Sequence, residues 1–244
     1  SNFLRFFKRR LHCLGSQTLA YLTRLIPSFK QHSQSIPIIS ERFMELEFHY
    51  DFGSPNAYLS HLVLPQLEAR IGQAITYVPI LLGGVFKATN NVSPGVSMQG
   101  ILNKPEYAQV ETQRFLRAHQ ITAYERNPDF PINTLMLMRG AVFSQSQAYC
   151  FDYINAVYHH MWAVPKKMDE PEVFHAALME SGLPADEIFE GASMPDIKSG
   201  LIANTERSVA RGNFGSPTFF AGDAMFFGKD KLPDFEAEIL AGRT

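Results

Sequence analysis

Cysteine is nearly absent from this chain of 244 residues, which has only Cys13 and Cys150. The two lack the Cys-x-x-Cys spacing of a redox pair, and no Cys/His cluster has zinc-finger spacing. A dithiol oxidoreductase is therefore excluded, and a reducing, cytoplasmic location is expected. Cys150, inside "QAYCFDYINAVYHHMW", reads as a small core hydrophobe. Long apolar runs are missing as well, so no segment can cross a bilayer as a helix. An excess of one charge is also lacking: 22 Lys and Arg face 24 Asp and Glu, net −2. That balance speaks against nucleic acid as a partner. His159 and His160 are consecutive on a helix and face different directions, so no metal site is expected.

Acidic residues are wholly missing from residues 1–40, which carry Arg5, Lys8, Arg9, Arg10, Arg24 and Lys30. Subtracting these six from the 22 basic residues leaves 16 against 24 acids, or −8, for the remainder. Phe3, Leu4, Phe6, Phe7, Leu11 and Leu14 can line one helical face beside the basic cluster. Two readings stay open for this N-terminal arm, taken as residues 1–43. It is an amphipathic helix that packs on the acidic body or a subunit, or one that contacts a membrane surface through residues 1–30 or mimics an organelle targeting peptide. The stretch "LHCLGSQTLAYLTRLIP" is too polar for a secretory signal.

The remainder is rich in core-forming residues, with 45 % hydrophobic and 12 % aromatic content for the whole chain. "MELEFHY" (44–50) alternates with strand spacing, and Pro55 suits the first position of a helix that ends at Gly72. "AITYVPILL" (74–82) reads as a second strand, parallel to the first in a β-α-β unit. A block of helical segments follows, with Asn133 a plausible N-cap. Then come the helix "MPDIKSGLIANTERSVARG", the strands of "SPTFFAGDAMFFG" around a Gly-Asp turn, and a last helix. The fold class is α/β, with the domain divided as 44–84 and 199–244 around a large all-helical insertion at 85–198. The cleft between the two parts is the expected ligand site.

"DFGSPNAYLS", the helical insertion, "GGVFKATNN", "FPINTLMLMRG", "FGSPTFF" and "FFGKDKL" together resemble the DsbA-like branch of the thioredoxin fold. More closely, they are similar to 2-hydroxychromene-2-carboxylate isomerases and kappa-class glutathione transferases. The resemblance covers residues 44–242. It implies a thioredoxin-like domain with a serine, Ser54, where dithiol relatives carry a cysteine, and glutathione as the cofactor that brings the sulfur. The chain departs from relatives that carry a further aromatic residue after the proline; Asn56 stands there.

A helix start presents unpaired N–H groups and partial positive charge, which favour an anion. A free thiol has a pKa of about 8.5, so half-ionisation near pH 7 needs roughly 2 kcal/mol of preferential thiolate binding. A helix terminus gives up to ~2 kcal/mol and a hydrogen bond to a charged group ~1.5–3 kcal/mol. Ser54 is read as the catalytic stabiliser of a bound thiolate, with an ordinary helix cap as the plain alternative.

For the cofactor, the resemblance implies contacts from Asn91, Ser216, Pro217 and Asp230, with a cis bond at Ser216-Pro217. From the residues alone, that bond is trans and Asp230 is a helix N-cap. Adjacent Asn90 competes with Asn91 for its role. Lys87 is able to attract a carboxylate, or is simply solvated. Phe52, Phe86 and Asn133 are expected at the substrate, and Tyr58, Trp162 and Phe227 are further aromatic candidates that serve equally as core. Arg139 either serves the site or braces the helices.

The expected activity is glutathione-dependent cis–trans isomerisation of an unsaturated, aromatic carboxylate, as in aromatic degradation, by a homodimer. The alternatives are a kappa-type glutathione transferase or peroxidase, and a non-catalytic thioredoxin-fold module that binds a peptide.

Overall fold

The alternation at residues 44–50 becomes strand β1, Leu46–Tyr50, in the computed structural model, which describes residues 44–242. The arm at residues 1–43, with both of its readings, lies outside the described residues. Helix α1, Pro55–Ile71, starts on its proline and ends at Gly72, whose φ of 67° is the left-handed conformation that glycine adopts without steric cost. Strand β2, Thr76–Pro79, runs parallel to β1. Helices α2, Leu82–Thr89, α3, Pro94–Ser97, and α4, Lys104–Ala118, follow. The helical block continues with α5, Leu135–Ser144, α6, Cys150–Trp162, α7, Pro171–Glu180, and α8, Ala185–Ser193. Helix α9, Pro195–Ala210, leads back to strands β3, Thr218–Ala221, and β4, Ala224–Phe227, and to α10, Leu232–Ala241. Sheet order is β2-β1-β3-β4, with β3 antiparallel to both of its neighbours.

This is the expected α/β, DsbA-like arrangement. The limits expected for the insertion, however, fall inside α2 and α9. Both helices run unbroken across residues 84/85 and 198/199: α9 packs on β2 and on the helices of the insertion, and Val85 of α2 packs with Val78 and Val209. No helix among the described residues is long and apolar enough to cross a membrane.

Strand β1 is buried on both faces. Leu46, Phe48 and Tyr50 point into an aromatic core shared with α1, α6 and α10, where Phe48 stacks on Phe219 at 5.2 Å and Phe219 meets Phe235 at 5.3 Å. Glu47 and His49 point to the opposite face and are equally buried there, beneath α9. Arg211, just past α9, pairs with Glu47, donates to Gly222 O and lies 3.8 Å over the Phe220 ring. Burial alone would raise the Glu47 pKa, but hydrogen bonding and charge from His49 and Arg211 outweigh it and bring the pKa down to about 2. Burial also pushes His49 down, so at neutral pH the cation facing Glu47 is Arg211.

A carboxylate with a lowered folded-state pKa stabilises the fold above its unfolded pKa, and that contribution is lost as pH falls towards the folded value. Denaturation midpoints should therefore fall between about pH 4.5 and pH 2, and Glu47→Gln should lose that part of the slope. Arg211→Met leaves a buried carboxylate without its cation and should cost about 3–5 kcal/mol in chemical denaturation at neutral pH.

Candidate functional site

The turn between β1 and α1 is held by Asp51, which is fully buried and uses all of its polar groups. Its carboxylate accepts from Gly53 N at 2.8 Å and from Leu82 N, the first amide of α2, at 2.7 Å, and Thr134 adds a side-chain hydrogen bond. Its backbone O accepts from Ser54 N at 3.0 Å, and its N–H donates to Ser216 Oγ at 3.2 Å. Burial raises the Asp51 pKa against the lowering effect of these donors. Gly53 is fixed by close approach: a Cβ there would lie 3.2 Å from Thr134 Cγ2 and 3.3 Å from Asp51 Oδ1. One carboxylate thus joins the turn to the starts of α2 and α5.

Ser54 occupies the N-cap of α1, where its Oγ accepts from Ala57 N at 3.2 Å and its C=O accepts from Ala57 N and Tyr58 N. Pro55 has no N–H, which leaves the Asn56 amide as the first-turn donor not turned back on Ser54. The residue is 5 % exposed. Its hydroxyl donates to Ser216 O at 2.8 Å, across the turn. The Ser216-Pro217 bond is cis, so the trans alternative is set aside. Ser216 N–H has no hydrogen-bond partner among the described residues.

Around this centre the expected residues divide. Asn90 ends α2 in a left-handed conformation, φ 53°. It is the side chain of Asn91 that reaches the Ser216 segment, donating to Phe214 O at 2.9 Å. Lys87 is exposed on the last turn of α2 and Phe86 is half-buried. Asp230 lies two residues beyond Gly228, whose N–H donates to Pro217 O at 2.9 Å. Its side chain is 69 % exposed and accepts from Lys229 Nζ. Asp230 does not cap α10: a 3₁₀ turn, Lys229–Lys231, intervenes and moves the helix start to Leu232. Asn133 is exposed at the start of α5, where its Oδ1 accepts from Leu135 N at 3.1 Å. Arg139 is half-buried beside Met136.

Phe52 is a correction. The strand alternation carries on past β1, so Phe48, Tyr50 and Phe52 share one face, and the Phe52 ring is enclosed by Tyr50, Tyr153 and Tyr158. It is fully buried and has no face open to a ligand. Trp162 and Tyr58 are core residues too, with Trp162 Nε1 donating to Phe52 O at 2.7 Å and the Tyr58 hydroxyl to Ala123 O at 2.6 Å. The aromatic surface beside the cis bond comes instead from Phe227 and Phe214, with ring centroids 4.4 Å apart and both exposed.

Asp51, Thr134, Asn213 and Phe214 were not expected at the site. For Asp51 the signal was present in the i, i+2, i+4 series Glu47, His49, Asp51. A cavity of about 220 Å³ follows the later turns of α1, between Leu67, Arg70, Phe115 and His119. Asp230 is the one expected site residue on its wall; Ser54, Asn91 and Ser216 lie outside it, so this cavity is not the pocket at Ser54. Among the described residues no group of three or more His, Cys, Asp or Glu is placed to hold a metal ion.

Comparison with known proteins agrees with this layout. A protein named 2-hydroxychromene-2-carboxylate isomerase from Sphingobium xenophagum is 25 % identical over 197 residues, 80 % of this chain and 97 % of that protein. One of the same name from Pseudomonas putida is 28 % identical over 211 residues, covering 82 % and 95 %. A solved 2-hydroxychromene-2-carboxylate isomerase structure superposes with a TM-score of 0.70 at 26 % identity, covering 81 % of this chain and 95 % of the other. A probable DsbA oxidoreductase from Streptomyces coelicolor, 18 % identical with a TM-score of 0.61 and coverage of 82 % and 89 %, shares the fold. The DSBA-like thioredoxin domain matches residues 45–240, and the chain belongs to that family.

Proposed function

We propose that the protein is a glutathione-dependent isomerase of the 2-hydroxychromene-2-carboxylate isomerase type, acting on an unsaturated, aromatic carboxylate. The observation that carries the reading is the pairing of Ser54 Oγ with Ser216 O, 2.8 Å apart, at a helix start that offers a hydroxyl and no thiol. The names of the relatives at 25–28 % identity support an isomerase.

The residues present suit glutathione as the source of sulfur. Ser216 offers an N–H without a partner and a C=O with a spare lone pair, an edge that an extended tripeptide can pair with. The exposed Asp230 carboxylate suits an ammonium group, and Lys87 suits a carboxylate. When bound, glutathione would supply a nucleophilic thiolate that adds to and leaves the double bond, allowing rotation about it. Ser54 holds that sulfur by turning its O–H away from Ser216 O, while the Asn56 amide and the α1 dipole favour the ionised form. Phe214 and Phe227 would border the aromatic part of the substrate.

Two other readings remain distinct. A kappa-type transferase or peroxidase would leave the sulfur on its product or oxidise it, whereas an isomerase returns free glutathione. A non-catalytic peptide groove is favoured by one observation, the unpartnered Ser216 N–H beside the cis bond.

Calorimetric titration separates these. Below the free thiol's pKa, reduced glutathione should bind with release of a proton, seen as a heat that varies with the buffer, and S-methyl glutathione should not. Equal, buffer-independent binding of both would indicate a peptide groove. Ser54→Ala should lower turnover roughly 10–100-fold, the equivalent of ~1.5–3 kcal/mol, with about 1 kcal/mol lost in denaturation for the missing cap. Deleting residues 1–40 should leave glutathione binding unchanged by the same titration, because Ser54, Asn91, Ser216, Pro217 and Asp230 all lie beyond them in the sequence.

A further inference from the structure

A polar chain runs from the centre of β1 to the segment that faces Ser54. Asn213 is 1 % exposed, and its Oδ1 accepts from Gly215 N at 2.8 Å and lies 2.8 Å from Thr218 Oγ1. The Gly215 N–H fixes the carboxamide orientation, so Nδ2 is the atom that donates to Ser208 Oγ, at 2.7 Å, and Thr218 Oγ1 reaches both Asn213 Oδ1 and Gly215 O. Ser208 is fully buried, and its Oγ is 2.7 Å from His49 Nδ1. The three side chains thus form one buried hydrogen-bonded chain from Asn213 to the centre of β1. His49 Nε2 lies 3.4 Å from Glu47 Oε2. The chain ends beside the Glu47–Arg211 pair.

The end of this chain brackets the catalytic segment. Gly215 and Thr218 lie immediately before and after Ser216-Pro217, and one side-chain oxygen of Asn213 ties both. Between the two ties sits Ser216 O, the acceptor of the Ser54 hydroxyl. We infer that Asn213, anchored through Ser208 and His49, is a positioning residue that sets the Ser216 carbonyl and through it the orientation of the Ser54 hydroxyl. Asn213 is enclosed and touches no ligand surface, so it acts only through the backbone it holds. Its kinetic consequence rests on the thiol-binding reading of Ser54; its geometric consequence does not.

The experiment is a double-mutant cycle of Asn213→Ala and Ser54→Ala on the full chain, read first by chemical denaturation, which needs no ligand. The two single effects on the unfolding equilibrium should fail to multiply by about threefold or more, because each variant removes one side of the same hydrogen-bonded segment. Multiplicative effects would overturn the inference, whatever the kinetics show. A purely structural Asn213 would also leave the pH–rate profile in place, whereas a positioning residue should move its acid limb up by about one unit in Asn213→Ala, a tenfold loss of thiolate. An acid limb unmoved in a folded Asn213→Ala would likewise overturn it. Should Asn213→Ala fail to fold, Thr218→Val removes one of the two ties with little change of shape and should couple to Ser54→Ala in the same sense; additivity there overturns the inference. If the wild-type protein binds no glutathione and the cycle is still coupled, the proposed function falls and the positioning role stands.

Discussion

Everything around Ser54 depends on a buried carboxylate. Removing Asp51 from water costs several kcal/mol, which is recovered only if its lone pairs are filled. They are filled by donors from three places in the sequence: Gly53 in the turn, Leu82 at the start of α2 and Thr134 at the start of α5. Each of these groups would otherwise be an orphan. Leu82 N belongs to a helix whose N-cap, Leu81, has no side-chain acceptor to offer. The interaction is therefore mutual, since the carboxylate is tolerated because it caps and the helix start is satisfied because the carboxylate is there. Thr205 completes the junction from α9, with its Oγ1 accepting from Leu81 N at 2.9 Å. In this way the sheet domain and the helical block are joined where the Ser54 hydroxyl sits.

Much of this was legible from residues with local rules. Pro55 and Gly72 mark the ends of α1 because one lacks an N–H and the other accepts positive φ, and neither rule needs tertiary context. The parallel pairing of β1 with β2 follows from a helix between two strands. The second face of β1 was not legible. Alternation in "MELEFHYD" ordinarily means one face in water, but here Glu47, His49 and Asp51 are all buried. Ser208, which pairs with His49, and Arg211, which pairs with Glu47, lie at the end of α9 and just past it, more than 150 positions away, and no local pattern links the two sets.

The aromatic residues show the same division. Phe52 sits in the most distinctive motif of the chain, yet the strand period sends its ring into the core with Phe48 and Tyr50. Phe214 sits in a loop with no periodicity to read, and the fold exposes it against Phe227 beside the cis bond. Position within a motif identified the turn between β1 and α1 and the cis bond that faces it. It did not identify which rings face outward, because that depends on which sheet face the helices cover.

A serine at this turn is consistent with chemistry that borrows its sulfur. The hydroxyl has a resting acceptor in Ser216 O and a helix start behind it, so it can exchange a carbonyl for a thiolate without leaving its cap. The direct test is ultraviolet titration of the thiol of glutathione in complex with the wild-type protein. The account predicts ionisation at least one pH unit below the free thiol's value of about 8.5. A bound thiol that titrates at or above that value would contradict it.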